Sequence, residues 1–228
     1  MVEDPTMSAA RAEILARIRS ATADVPRDET AEAVPIPRTY LVRDDHTASE
    51  RVAKFAERIA EYRATVHRVE VADLPRAIES ACRSRGVRRL VVPGDLPDGW
   101  VPEGVTALVD DPFAVGLGSF DPGDGVLSGC ALGIAQTGTI VLDAGPSQGR
   151  RLLTLLPDYH LCVVFEDQVV GTVPEGVAKL AEPAANPDRP ITWISGPSAT
   201  SDIELSRVEG VHGPRTLEVL LVGTETAP

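Results

Sequence analysis

Two apolar runs flank a short polar turn in the segment Cys130-Ala131-Leu132-Gly133-Ile134-Ala135-Gln136-Thr137-Gly138-Thr139-Ile140-Val141-Leu142. Cys130–Ile134 and Thr139–Leu142 have the length and the apolar, β-branched composition of buried strands. So few intervening residues can close a hairpin but cannot cross over to a parallel strand, which predicts an antiparallel pair. Gly138 is expected to supply the positive φ that the turn requires.

Outward from this pair, helical and strand patterns alternate along the chain. Helices are predicted at 48–63, 74–84, 149–155, 174–180 and shortly after Thr200, and strands at 65–69, 89–92, 105–109, 161–165, 191–195 and 216–222. Segments rich in Gly, Pro and Asp predict loops at 94–104, 119–129 and 182–190. This alternation indicates an α/β domain whose mainly parallel sheet has helices on both faces. The antiparallel pair makes the predicted sheet mixed.

The N-terminal region differs from the rest in composition. Residues 8–20 read as an amphipathic helix, whereas 21–37 are rich in Ala, Thr, Glu, Asp and Pro and have no apolar period. We therefore predict an N-terminal helix and flexible linker over 1–37, followed by a single domain over 38–228. The isolated helix suggests docking on a partner or on a second copy of the chain.

Charge and composition exclude several classes of partner. The net charge of −12 and the pI near 4.8 argue against binding to nucleic acid or an anionic membrane. The sequence has no signal-peptide pattern and no apolar stretch long enough for a membrane span, so we expect a cytoplasmic protein. Its three cysteines, Cys82, Cys130 and Cys162, lack the spacing of a zinc or iron–sulfur site and are expected to be reduced core thiols.

Three polar, glycine-bearing segments follow or interrupt the apolar runs. They are Gly133–Thr139, Gly196–Glu204 and Gly210–Pro214. Glycine lets the backbone approach a ligand closely, and Ser, Thr, Asp and His place hydrogen-bonding groups and a proton carrier beside it. The three segments together indicate a binding or catalytic site.

These segments, in this order and with these intervening strands, resemble the signature of the LUD-domain family and its lactate-utilisation protein C group. The resemblance covers roughly residues 40–222 and is densest after Gly129. It implies the Rossmann-like open sheet shared by the NagB, ribose-5-phosphate isomerase and CoA-transferase group. It also implies an L-lactate utilisation system in which partner chains, rather than this one, hold the iron–sulfur clusters. Family members often carry Glu where this chain has Gln136, so Gln136 is not predicted to be a catalytic acid.

The candidate site residues fall into two sets. Asp202 and His212 are the candidate catalytic pair, because a carboxylate can orient an imidazole whose pKa lies near neutrality. The candidate ligand-binding residues are Gln136, Thr137, Gly138, Thr139, Gly196, Ser198, Thr200 and Glu204. His160 is a weaker candidate. We expect Ser198, Thr200, Asp202 and His212 to line one pocket with Thr137 or Thr139 at the carboxyl end of the sheet.

Structural roles compete with these assignments. The two Gly-Pro-Ser tripeptides, at 145–147 and 196–198, each precede a predicted helix whose N-terminus could hold a small anion. Ser147 and Ser201 are expected to cap these helices rather than to bind a ligand, and Ser201 with Glu204 fits a capping box.

Three functions remain open from the sequence. The chain could be a subunit of a lactate-oxidising system, a stand-alone enzyme acting on a phosphorylated, CoA-linked or folate-type molecule, or a non-catalytic assembly factor. The sequence does not decide whether the chain is itself an enzyme.

Overall fold

The computed structural model describes residues 5–26, 30, 36–111, 113, 117–119, 121, 124–181, 189–200, 208–209 and 213–223. The chain divides into two compact units, Met1–Tyr40 and Leu41–Pro228. In the first unit, helix α1 spans Pro5–Ala21. The apolar side chains of Ile14, Leu15 and Ile18 on α1 are exposed.

The second unit is an α/β domain built on a six-stranded parallel sheet, which confirms the predicted fold class. In spatial order the strands are β1 (Thr65–Glu70), β12 (Thr216–Gly223), β7 (Tyr159–Phe165), β4 (Gly125–Ser128), β2 (Arg89–Val92) and β3 (Thr106–Val109). Helices α2 (Ala48–Glu61) and α3 (Leu74–Arg85) are its long helices among the described residues.

Alternate side chains of the central strands pack against opposite layers. In β7, Cys162 shares a core cluster with Phe55 of α2, whereas Leu161 shares another with Ile78 of α3. The central strands are therefore covered on both faces, which explains why they read as continuous apolar runs rather than as alternating patterns.

A second, four-stranded sheet carries the segment that predicted the hairpin. Its order is β8 (Val169–Val170), β5 (Leu132–Ile134), β6 (Thr139–Leu142) and β9 (Thr192–Ile194). β5 and β6 pair antiparallel, and Gly138 has a φ of 58°, so both predictions for this turn are confirmed. Helix α4 (Val173–Leu180) packs Val173 and Leu180 on this sheet.

The strands expected in a single mixed sheet therefore fall into two sheets. The large one is wholly parallel, and the antiparallel pairs β5–β6 and β6–β9 belong to the four-stranded one. A separate two-stranded antiparallel sheet is formed by β10 (Ala199–Thr200) and β11 (Val208–Glu209). The chain leaves β4 and begins β5 after only three residues, 129–131. Such a short connection carries it out of the parallel sheet, because a parallel neighbour needs a longer crossover.

Two local predictions were wrong. The predicted loop 119–129 contains the buried strand β4, which pairs with both β2 and β7. At its start, the buried carboxylate of Asp124 accepts two hydrogen bonds from Arg89, at 2.7 and 2.6 Å. A strand of four residues beside Gly, Pro and Asp has little local signal, and its pairing partners come from distant sequence.

The predicted helix 149–155 is a series of turns. Ser147 and Gly149, just before or at its start, have φ values of 58° and 68°, which a right-handed helix cannot accommodate. Ser147 therefore caps no helix, and its N–H donates instead to Asp95. The anion site predicted at this helix N-terminus does not form.

No helix among the described residues is long and apolar enough to cross a membrane.

Candidate functional site

A cavity of about 370 Å³ opens between the two sheets. The large sheet contributes His160 from β7 and Leu217 from β12, and the small sheet contributes β9. The described residues that line it are Arg151, Thr154, His160, Thr192, Trp193, Ile194, Ser195, Gly196, Pro197, Ser198, Gly213, Pro214 and Leu217. We call this the inter-sheet cavity, and its volume lies at the low end of the range for small-molecule sites, roughly 300–1,000 Å³.

Arg151 is the one charged residue among the described residues that line the inter-sheet cavity. Its guanidinium Nη1 donates to Thr154 Oγ1 at 3.2 Å, and no carboxylate in the described part of the chain pairs with it. Burial lowers the pKa of Arg151, as expected for a cation that has lost water without gaining a counter-ion. The neighbouring Arg150, by contrast, is held by Asp110 at 2.9 Å.

His160 is a buried residue of the cavity lining. It is the second residue of β7, and its Nε2 lies 2.8 Å from the hydroxyl oxygen of Ser128 at the end of β4. Both residues are essentially inaccessible to solvent. Because the hydroxyl can donate or accept, this contact fixes the ring without fixing its tautomer.

Two buried thiols, those of Cys162 and Cys130, lie near His160 in the core. Cys162 is two residues along β7 and therefore on the same face, and Cys130 belongs to the same core cluster as Cys162. The pKa of Cys162 is lowered, first by the hydrogen bond from Cys130 and then by His160 and Ser128, whereas the pKa of Cys130 is raised. All three cysteines are buried and free, in agreement with the expected core thiols.

The predicted residues Thr137 and Thr139 reach the edge of the cavity through a chain of hydroxyls. Thr137 Oγ1 lies 2.7 Å from Thr139 Oγ1, which lies 2.8 Å from Ser195 Oγ. Ser195 lines the cavity, whereas the two threonines do not. Gln136 is exposed and lies outside the lining.

The two predicted glycines serve close backbone packing. A Cβ on Gly138 would lie 2.6 Å from backbone atoms of Arg58 and Ile59 in α2, and one on Gly196 would lie 2.6 Å from Tyr62. Gly196 also lines the cavity, as does Ser198, whose N–H donates to the carbonyl of Pro214 at 2.8 Å.

The remaining candidates cannot be located. Asp202, Glu204 and His212 lie outside the described residues, as do Ser201, the predicted short helix after Thr200 and the side chain of Thr200. Thr200 itself belongs to the short strand β10 (Ala199–Thr200), which pairs with β11 (Val208–Glu209).

The cavity lies at the opposite end of the large sheet from the one expected. His160 and Leu217 are the second residues of their strands, and Gly213 and Pro214 precede β12. These are amino ends. The rule that ligands bind at carboxyl ends applies to a single open sheet, whereas here the second sheet closes over the amino ends and forms the cavity.

Sequence reasoning missed Ser128 and undervalued His160. A signal was present in His160-Leu161-Cys162, where an imidazole and a thiol stand two apart on one strand and so share one face. Only the pairing of Ser128 with Cys162 across β4 and β7 brings the two groups together.

A larger groove of about 780 Å³ runs between β1 and α3. Its buried carboxylate, Glu218, is already satisfied by His67 at 2.8 Å, Arg85 at 3.1 Å and Tyr159 at 3.0 Å. The inter-sheet cavity is the better candidate despite its smaller volume, because no described carboxylate pairs with its arginine and because residues of two glycine-bearing segments line it.

The part of the chain that the structure describes contains no group of three His, Cys, Asp or Glu side chains arranged to hold a metal ion.

Comparison with known proteins agrees with this architecture. Residues 119–222 match the LUD domain family. Lactate utilization protein C of Deinococcus radiodurans is 44% identical over 98% of this chain and all of its own length. Protein YkgG of Escherichia coli K12 is 32% identical over 68% of this chain and 73% of its own length.

A crystal structure of a DUF162 family protein from Deinococcus radiodurans superposes with a TM-score of 0.67 and 43% identity, covering 78% of this chain and 99% of that one. The chain is thus an α/β protein of the LUD-domain class. It belongs to the lactate utilization protein C family.

Proposed function

We propose that this chain is a subunit or accessory protein of a cytoplasmic L-lactate utilisation system that oxidises lactate to pyruvate. The observation that carries the proposal is its end-to-end similarity, at 44% identity, to a protein named lactate utilization protein C. Because the match covers the whole of that relative, the relative has no additional domain outside the match to which its name could refer.

The redox centres of such a system are proposed to lie in iron–sulfur partner proteins. Three cysteines, two of them in contact inside the core and the third in a different cluster, offer no set of ligands for a cluster in this chain. The isolated protein should therefore lack the visible absorption of iron–sulfur clusters. The finer fold assignment, to the NagB, ribose-5-phosphate isomerase and CoA-transferase group, is supported by a parallel sheet covered on both faces.

A small anionic ligand is proposed for the inter-sheet cavity. The cavity combines hydroxyls and glycine backbone with one arginine that no described carboxylate pairs, and residues 196–198 and 213–214, from two of the three glycine-bearing segments, line it. Asp202 and His212 stay the proposed catalytic pair.

Growth of a deletion strain tests the function. A strain lacking this protein should fail to grow on L-lactate yet grow normally on pyruvate, and the intact gene should restore growth on lactate. Arg151→Gln should restore growth poorly, whereas Arg88→Gln, which removes an exposed arginine outside the cavity, should restore it fully. Asp202→Asn and His212→Ala should also fail.

Affinity purification from lactate-grown cells tests the partners. Iron–sulfur proteins should co-purify with the full chain. If the deletion strain grows on L-lactate at the normal rate, the proposed function is wrong, and a stand-alone enzyme of another reaction becomes the better hypothesis. If a protein that carries all the active-site substitutions complements fully, the chain acts as an assembly factor.

A further inference from the structure

We propose that the inter-sheet cavity binds a short 2-hydroxy or 2-oxo monocarboxylate, with Arg151 holding the carboxylate and His160 contacting the oxygen on carbon 2. The choice of acids rests on the proposed function, whereas the anchoring residues rest on the geometry of the cavity.

The charge of the lining selects a monoanion. Arg151 contributes one positive charge, and the described lining adds no second cation and no acid. A guanidinium presents a planar fork of donors that matches a carboxylate in a bidentate pair. Among the described residues, only Thr154 accepts a side-chain hydrogen bond from that fork. A phosphate dianion would leave one of its charges without a counter-charge in this lining.

His160 can recognise either oxidation state of the carbon next to the carboxylate. Its Nε2 is engaged by Ser128, and the ring also interacts with the thiol of Cys162, whereas the described part of the chain shows no hydrogen bond to Nδ1. When the Ser128 hydroxyl donates to Nε2, Nδ1 carries the proton and can donate to a keto oxygen. When Ser128 accepts instead, Nδ1 is bare and can accept from a 2-hydroxyl group.

The apolar part of the lining suits a small alkyl group such as the methyl group of the acid. Ile194, Pro197 and Leu217 contribute apolar surface, with Trp193 at the rim. Burying a methyl group against these apolar side chains is favourable because it removes apolar surface from water. The lining therefore provides for a carboxylate, an adjacent polar oxygen and a small apolar group.

Isothermal titration calorimetry of the full chain tests this proposal with four probes: sodium L-lactate, pyruvate, propionate and inorganic phosphate. Lactate or pyruvate should bind at least tenfold more tightly than propionate, which has the carboxylate and the methyl group but no oxygen on carbon 2. Inorganic phosphate should bind more weakly than either acid. Arg151→Gln should weaken lactate binding at least tenfold, and Arg88→Gln should leave it unchanged.

The contribution of His160 is tested through selectivity. His160→Gln and Ser128→Ala should each reduce the ratio of lactate to propionate affinity while leaving propionate affinity within about twofold. A thermal unfolding curve for each variant separates this result from misfolding, and if His160→Gln does not fold, Ser128→Ala provides the measurement.

Three results would overturn the assignment: equal affinity for lactate and propionate, phosphate binding more tightly than either acid, or lactate affinity unaffected by Arg151→Gln. These failures are distinct from failure of the proposed function. If the deletion strain loses growth on lactate but the chain shows no selectivity for 2-substituted acids, the function stands and this site assignment falls.

Discussion

The substitution Gly138→Ala should destabilise the domain far more than an ordinary glycine-to-alanine change. Gly138 has a φ of 58°, a conformation that costs a non-glycine residue about 1–2 kcal/mol. In addition, the new Cβ would lie 2.6 Å from the backbone carbon of Arg58 and the backbone nitrogen of Ile59. These are atoms within helix α2, so neither can rotate away, and overpacking of this kind costs about 1–3 kcal/mol.

Gly86 is the matched control for this substitution. It ends α3 with a φ of 66°, and a Cβ there would meet no atom within 4 Å. Gly86→Ala therefore carries the conformational cost alone, about 1–2 kcal/mol. Both changes restrict the unfolded chain equally, so that contribution cancels in the comparison.

Urea unfolding followed by circular dichroism gives the free energy of unfolding for each variant. We expect Gly138→Ala to lose about 2–5 kcal/mol in total, and at least about 1 kcal/mol more than Gly86→Ala, with similar m-values. Equal losses for the two variants would refute the close packing of the β5–β6 turn on α2. The position of the hairpin above the large sheet, and with it the inter-sheet cavity, would then be wrong.

Three further predictions concern pH, thiol chemistry and truncation. Burial acts to raise the pKa of Glu175, but hydrogen bonds from the N–H groups of Thr172 and Asp44 lower it overall. Ionised Glu175 therefore stabilises the folded domain above its pKa in the unfolded chain, about 4.3, and this stabilisation is lost as the pH falls through its lower pKa in the folded state. Glu175→Gln should cost about 1–2 kcal/mol at pH 7 in chemical denaturation and progressively less below pH 4, and a cost that grows on acidification would contradict this. Burial raises the pKa of Cys82 to about 11, so iodoacetamide at pH 8 should alkylate native Cys82 more than about a hundredfold more slowly than the unfolded chain, as followed by mass spectrometry. Removal of residues 1–37 should leave a domain that unfolds cooperatively in calorimetry, because Leu41–Pro228 forms a compact unit; loss of a cooperative transition would place α1 in the core.

Sequence reasoning located most elements because their signals are local. The strands Arg89–Val92 and Thr139–Leu142 match the observed bounds, and α3 extends the predicted helix by one residue. Short apolar runs bounded by Gly or polar residues indicate buried strands without any knowledge of their pairing partners. β4 escaped prediction because its four residues gain strand structure from pairing on both sides. The turns around Arg151 escaped it because positive φ at Ser147, a non-glycine residue, has no clear signature in sequence.

By itself, the sequence determined the α/β class, the antiparallel turn at Gly138 and the family to which the chain belongs, since each depends on the order and spacing of residues along the chain. Only the tertiary structure decided that the antiparallel strands form a separate sheet, and that this sheet closes over the amino ends of β7 and β12. It also decided that Arg150 is paired with Asp110, whereas Arg151, its immediate neighbour, lines the cavity with His160 and has no counter-ion among the residues that the structure describes. The physical reason is that burial and charge pairing depend on contacts between residues far apart in sequence, and two adjacent arginines look alike until those contacts form.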